Sequence, residues 1–213
     1  EKLWLQHAVD AVQGGTGERE EMQEHLLEIV SKGREEGAQG LLLASTALET
    51  LEAALPACHV VRVMPNLPVS VRSGASAVCG GSTATPADVE LVREMFAALG
   101  SAKVMREDQL DAEGAVVGCA PAYFALMVDV LTRAGVRAGL PAAAAREMVN
   151  ATMLGVAESL AKSGEHPRAY MERVTSPGGT TAAALFELEP ALTEGAYAAV
   201  DAALARTAEL ARG

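Results

Sequence analysis

The sequence predicts an α/β domain followed by an all-α domain, with the change near residue 105. Three observations carry this reading. Up to residue 105, short β-branched or apolar runs alternate with helical periodicity, which implies a mostly parallel sheet covered by helices. Beyond Asp108 the strand-like runs stop and the long segments read as helix. Aromatic residues make up 3% of the 213 residues. Alanine, valine and leucine must therefore fill the core, and alanine-rich segments favour helix because Ala loses little entropy on becoming helical.

Taken in order, residues 18–32 form an amphipathic helix with Met22, Leu26, Ile29 and Val30 on one face and Gly33 as its stop. Residues 40–44, GLLLA, read as a short buried strand. Residues 46–55 are a helix with Leu48, Leu51 and Leu55 on one side. Residues 59–64, HVVRVM, are a β-branched strand ending at Pro65, and residues 75–79 are a further strand leading into Gly80-Gly81. Thr85-Pro86 opens a helix with an N-cap hydroxyl and a proline at the first helical position. Val89, Val92, Phe96 and Leu99 share one face of it, and Gly100 closes it. Residues 102–105 are the last strand. In the second half, residues 121–137 are apolar nearly all round, and in a domain this small such a helix marks a subunit interface. Residues 141–162 carry a stripe of Val149, Met153, Val156 and Leu160. Residues 167–174 are a short helix, and residues 180–189 and 191–211 are two more, separated by Pro190. The domains are expected at 1–105 and 106–213.

The formal net charge of −11 argues against a nucleic-acid partner, whose phosphates would be repelled. Cys58, Cys79 and Cys119 make no even disulfide framework, so a reduced, cytoplasmic setting is expected. The apolar run 115–128 contains Gly118 and Pro121 and stops at Asp129. It is shorter than the ~20 residues of a spanning helix, so no membrane partner is expected. No signal peptide is recognisable. The chain opens on Glu1 rather than Met, which raises the expectation of a missing N-terminal portion. His7, His25 and His59 lack metal-ligand spacing and no Cys cluster occurs, so no metal is expected.

The strongest local signal is in residues 171–187, MERVTSPGGTTAAALFE. Ser176-Pro177-Gly178-Gly179-Thr180-Thr181 is a hydroxyl-rich turn running into an alanine-rich helix. The two glycines let backbone approach a ligand with no side chain in the way. Unpaired amides at the start of the helix carry partial positive charge, and Thr180 and Thr181 add hydroxyl donors. The pattern fits a pocket for a small carboxylate or phosphate, and it also fits ordinary helix capping. Asn66, between Pro65 and Leu67-Pro68, follows a strand whose carboxyl end is where open α/β sheets bind ligands; a turn asparagine is the other reading. His166, before Pro167, reads as a helix-junction cap.

The string VTSPGGTTAAALFELE resembles the signature of the pyrroline-5-carboxylate reductases, the last enzyme of proline synthesis. Other segments agree in order and spacing from about residue 40 to the C-terminus. Val63-Met64-Pro65-Asn66-Leu67-Pro68 resembles that family's VMPNTP, and Pro121-Ala122-Tyr123 stands where it has GSGPAY. Ala138-Gly139-Leu140-Pro141 resembles its MGLP turn, and Ser163-Gly164-Glu165-His166-Pro167 matches its SGEHP. The resemblance implies a partial Rossmann-like parallel-sheet domain followed by an all-helical dimerisation domain. It also implies hydride transfer from NADPH or NADH to the C=N carbon of 1-pyrroline-5-carboxylate, giving L-proline.

By the same resemblance, Ser176, Gly178, Gly179, Thr180 and Thr181 hold the substrate carboxylate, with Glu165 approaching the substrate nitrogen. Cys119 takes the place of a serine on the substrate side. Met64, Pro65 and Asn66 face the nicotinamide end of the cofactor. Ala44 joins them, because LLLAST stands where the family has a small-residue SIAAG-type segment. Interlocking helices beyond residue 120 imply a homodimer or a larger assembly of dimers, in which one subunit's helices complete the other's site. The chain departs from the family pattern in places. Gly114 stands for a threonine, Cys119 for a serine and Ala120 for a glycine. A backbone contact survives these changes, whereas a hydroxyl contact does not, because a thiol is a weak donor. Gly14-Gly15-Thr16-Gly17 lacks a preceding apolar strand and the third glycine of a dinucleotide fingerprint, so it reads as a loop. The family's AVKP segment survives at most as Ala11-Val12-Gln13-Gly14. The member is thus expected to be N-terminally incomplete or divergent. A non-catalytic, dimerising relative without a complete cofactor site stays open. A β-hydroxy-acid reductase ranks last, because residues 121–137 hold no lysine.

Overall fold

The computed structural model describes residues 40–43, 48–54 and 58–211. The expected helix over 18–32, the glycines of 14–17, Ala44 and Leu55 lie outside the described residues. The described chain falls into two compact units that meet at Pro121 and Ala122.

The first unit holds a four-stranded sheet in the order β1-β2-β3-β4, with β1 at Gly40–Leu43, β2 at His59–Pro65, β3 at Gly74–Gly80 and β4 at Gly100–Val104. The β1–β2 and β3–β4 pairs are parallel, whereas β2 and β3 run antiparallel. The α/β expectation holds, but the sheet is mixed. Helix α1 (Leu48–Ala54) crosses over between β1 and β2, and α2 (Pro86–Ala97) between β3 and β4. Between β2 and β3 lie only residues 66–73, mostly a 3-10 turn over Leu67–Val71. That connection is too short for the crossover a parallel pair requires.

Because side chains alternate across a strand, β2 and β3 serve two layers. Val60 of β2 with Ala77 and Cys79 of β3 pack against Leu48 and Leu51 of α1 and against Leu110. Val61 and Val63 with Val78 pack on the opposite face against Val92 and Phe96 of α2 and Ala102 of β4. Val60, Val61, Val63, Val78 and Leu110 are essentially inaccessible, and each such side chain contributes roughly 1.5–3 kcal/mol through burial. Thr85 caps α2 as expected. Its hydroxyl accepts from the Asp88 amide while the Asp88 carboxylate accepts from the Thr85 amide, a reciprocal capping box. Gly100 opens β4 instead of closing α2, whose C-cap is Ala98. Its φ of +141° and the Gly74 carbonyl oxygen, which a Cβ there would strike, restrict that position to glycine.

Residues 107–118 fold in a way the periodicity does not announce. They form a 3-10 turn at Glu107–Gln109, a short helix α3 at Leu110–Glu113 and one π turn at Gly114–Gly118. Leu110 and Ala115 are buried. This packing carries the first unit past residue 105, where the change of composition places the boundary.

The second unit is helical. It comprises α4 (Ala120–Arg137), which begins at the unit boundary, α5 (Ala142–Ser163), α6 (Pro167–Arg173) and α7 (Thr180–Leu210). Val149, Met153, Val156 and Leu160 form the half-buried stripe of α5. Pro190 does not break the last segment into separate helices: it sits inside α7. It removes one intrahelical bond, yet the alanine-rich turns on either side carry the helix through. Among the described residues of this unit only Thr132 and Ala145 are buried, while Phe124, Leu126, Leu154, Phe186 and Tyr197 are exposed, Phe186 to 80%. The stretch Glu107–Arg137 is long and apolar enough, by length and composition, to cross a membrane.

Glu113 at the end of α3 is 8% exposed and its Oε2 has no hydrogen-bond partner. Burial pushes this carboxyl up to about 7. The folded state thus favours the neutral acid, and stability present below the ordinary carboxylate range is lost as pH rises through about 7. Glu113→Gln, neutral at every pH, is expected to differ little from wild type near pH 5 and to exceed it by on the order of 2 kcal/mol near pH 8. Denaturant unfolding at the two pH values tests this; equal pH dependence in both proteins refutes it.

Candidate functional site

Of the residues expected on the cofactor side, the described ones, Met64, Pro65 and Asn66, lie at the carboxyl end of β2. Its register sets them in place. β1 ends with Leu43 opposite Arg62, so Met64, Pro65 and Asn66 extend past the β1 edge. Asn66 is engaged on three sides. Its amide donates to the Ala75 carbonyl at 3.0 Å, its Oδ1 accepts from the Ala75 amide at 2.9 Å, and its Nδ2 donates to the Val117 carbonyl at 3.2 Å. The side chain therefore bolts the end of β2 both to β3 and to the π turn. The two sequence readings of Asn66 merge: it is a turn asparagine, and it shapes the loop expected to face the cofactor.

The π turn lies against the same edge. A Cβ on Gly114 would come 3.0 Å from Met64 Sδ, so the thioether fills the room that a threonine methyl or hydroxyl would claim. π turns inside helices recur at functional sites because they redirect the residues that follow. Here the residue that follows is Cys119. Its amide donates to the Gly114 carbonyl at 2.9 Å, so that donor is engaged within the turn, and its side chain is exposed.

The remaining expected residues belong to the second unit. α7 starts at Thr180 with Gly179 as N-cap, and no side chain caps it. The turn before it closes through the Gly179 amide on the Ser176 carbonyl at 3.0 Å. Gly178 has φ +70°, a backbone conformation that favours glycine, whereas Gly179 has an ordinary extended backbone and a Cβ there would first meet the movable Ser176 Oγ. Ser176 and Thr180 are exposed and Thr181 is half-buried. The amino end of this 31-residue helix carries no side-chain cap, so its first amides stay unpaired beside the hydroxyls of Ser176, Thr180 and Thr181.

Glu165 faces Arg173, with Oε2 at 3.1 Å from the guanidinium, and Arg173 in turn lies over the Tyr170 ring at 5.0 Å. His166 caps α6, its Nδ1 accepting from the Arg168 amide at 3.1 Å. The structure thus groups Met64, Asn66 and the turn that leads into Cys119 in one unit, and Ser176, Gly178, Gly179, Thr180 and Thr181 at one helix end in the other. Glu165 lies in that second unit with Arg173 as its partner. Sequence reasoning passes over Arg62, Glu107 and Glu113. The available signal for Arg62 is a cation in the middle of the apolar run HVVRVM. Among the described residues no cluster of three His, Cys, Asp or Glu side chains is placed to hold a metal ion.

Residues 107–210 match the family described as pyrroline-5-carboxylate reductase dimerisation. The chain is 36% identical over 172 residues to the pyrroline-5-carboxylate reductase of Synechocystis, covering 80% of this chain and 64% of that protein. It is 37% identical over 176 residues to that of Corynebacterium melassecola, covering 82% and 64%. A pyrroline-5-carboxylate reductase structure from Coxiella burnetii superposes with a TM-score of 0.81 at 28% identity, covering 88% of this chain and 72% of that one. The Plasmodium falciparum pyrroline carboxylate reductase with NADP bound gives 0.73 at 28% identity, covering 86% and 75%. The chain spans 64% of the length of the Synechocystis and Corynebacterium relatives.

Asn66→Asp keeps the acceptor for the Ala75 amide but sets a carboxylate against the Val117 carbonyl. The variant is expected to lose about 1–2 kcal/mol near neutral pH and to recover some of it in acid, where a protonated carboxyl donates again. Chemical denaturation at the two pH values measures this; a variant as stable as wild type near neutral pH removes the bolt.

Proposed function

We propose that this chain, which belongs to the pyrroline-5-carboxylate reductase family, reduces 1-pyrroline-5-carboxylate to L-proline with NADPH or NADH. The observation that carries the reading is the uncapped amino end of α7 behind Ser176-Pro177-Gly178-Gly179. It is a donor-rich turn holding two glycines, suited to a carboxylate, in a chain whose relatives are reductases of a substrate that bears one.

Protein chemistry in such a step is mostly positioning. The amides that open α7 and the hydroxyls of Ser176, Thr180 and Thr181 orient the carboxylate. Glu165, held by Arg173, stands for the group near the substrate nitrogen. Met64, Pro65 and Asn66 would hold the nicotinamide end of the cofactor, with Ala44 assigned to the same role by resemblance. The fit is supported by the rigid Asn66 loop at the carboxyl edge of the sheet. The cofactor supplies the hydride. Cys119 contributes the position of its backbone rather than a hydroxyl.

We assign the apolar surfaces of α4, α5 and α7 to a homodimer or an assembly of dimers, in which helices of one subunit complete the site of the other. A patchwork of exposed apolar side chains of this extent marks an interaction surface. A membrane fits less well. Residues 107–118 break into 3-10, α and π turns, and irregular backbone does not face lipid. Three unpaired cysteines support a reducing, cytoplasmic setting, and the acidic charge supports the absence of a nucleic-acid partner.

The test is NAD(P)H oxidation in the presence of pyrroline-5-carboxylate, with NADPH titrated by fluorescence in parallel. Micromolar cofactor binding and turnover are expected; neither binding nor turnover at millimolar substrate favours the non-catalytic relative instead. Thr181→Ala is expected to raise KM for the imino acid by about tenfold or more, with kcat nearly unchanged, because a hydrogen bond to a charged group is lost. An unaltered KM removes Thr181 from the carboxylate site.

A further inference from the structure

The pair of Arg62, which is buried, and Glu107, whose side chain is 39% exposed, lies outside the site just described. Arg62 is 5% exposed in the middle of β2, paired across the sheet with Leu43 of β1 on one side and Cys79 of β3 on the other. Its guanidinium donates to Glu107 Oε1, which comes from the 3-10 turn after β4. The same oxygen accepts from the Leu48 amide, the first residue of α1, at 3.2 Å. One carboxylate oxygen therefore joins three segments: the centre of the sheet, the amino end of α1 and the start of residues 107–118. Burial, and next the adjacent Glu107 carboxylate, push the Cys79 thiol up, which places the thiol against the same junction and keeps it neutral.

The junction is not an efficient stabiliser. Arg62 Nε and Glu107 Oε2 are both buried without a hydrogen-bond partner. An ion pair left incompletely satisfied in this way is generally no more stabilising than two apolar side chains of similar volume. What apolar side chains cannot do is accept the Leu48 amide or fix one orientation of the helix that bears it. α1 is the next described element after β1, and the carboxyl edge of the sheet is where the cofactor side of the site is assigned.

We infer that Glu107, held by Arg62, is a positioning residue for the cofactor: it fixes the amino end of α1 against the carboxyl edge of the sheet. This rests on the cofactor reading above. The decisive variant is the double replacement Arg62→Met/Glu107→Met, with Glu107→Gln, which keeps a neutral acceptor, as the milder companion. The double variant is expected to melt at or above the wild-type temperature, to exchange the Leu48 amide about tenfold faster without ligand, and to bind NADPH about tenfold more weakly. Glu107→Gln is expected to fall between wild type and the double variant. Unchanged exchange at Leu48 overturns the joint. Faster exchange with unchanged NADPH affinity overturns its positioning role, as does an affinity loss accompanied by a matching fall in melting temperature. If wild type fails to bind NADPH while Leu48 is protected, the cofactor reading fails and the positioning role falls with it, whereas the joint stands.

Discussion

The first unit depends on one constraint: β2 is covered on both faces. Val61 and Val63 meet α2, while Val60 meets α1 and Leu110. A strand buried on both sides cannot slip by one residue without carrying its whole apolar set onto the wrong layer. The register with β1 and β3 is fixed accordingly, and so is the place where β2 ends. Asn66 then converts that fixed end into a fixed loop by holding both β3 and the π turn. Precision at the candidate site thus originates in the valines of the strand before it. The side chains at the edge inherit it.

The two helix amino ends that matter most are treated in opposite ways. α2 is closed by Thr85 and Asp88 together, and Asp88 also takes His59 Nδ1 at 2.7 Å. The Thr85 hydroxyl and amide, then His59, hold the Asp88 carboxyl below the usual range. α7 has a turn of similar composition ahead of it and no side-chain cap. The difference is geometric. Ser176 Oγ lies over Gly179 instead of reaching the amides of the next turn. Hydroxyls that cap a helix and hydroxyls that leave it open are indistinguishable as letters, which is why the sequence supports capping and anion binding alike.

Elements with one clear period are legible. The alternation of strand and helix, the Thr85 cap, the buried faces of α1 and α2, and the helices α4, α5 and α6 follow from spacing and punctuation. What escapes has no period to read. The reversal between β2 and β3 depends on how short residues 66–73 are. Residues 107–118 contain a buried leucine, a buried glutamate and a π turn, none of which repeats. Pro190 reads as a break because its local penalty is large, whereas the flanking alanine-rich turns carry the helix past it. On the site side, motif order identifies the residues but not their partners. That Asn66 uses both side-chain polar atoms internally, or that Glu165 faces Arg173, depends on the tertiary path. The Arg62–Glu107 pair is the extreme case, since its members are separated by most of the sheet.

The helical unit raises a question of its own, because Thr132 and Ala145 are its only buried residues among those described. Folding costs each ordered residue about 1–2 kcal/mol of backbone entropy, and a unit that buries so little offsets that poorly by itself. Many of its large apolar side chains on α4, α5 and α7 are instead exposed. On the proposed dimer those side chains are covered, and the hydrophobic term missing from one copy comes from the other. The same covering bears on the anion site at α7. Helix-end amides interact weakly with a carboxylate in water and strongly where water is excluded. A second copy laid over the exposed apolar residues of α7 would lower the local dielectric along that helix. On the proposed reading, assembly and carboxylate binding would then draw on the same helix, and the exposed apolar residues and the uncapped helix end would act together.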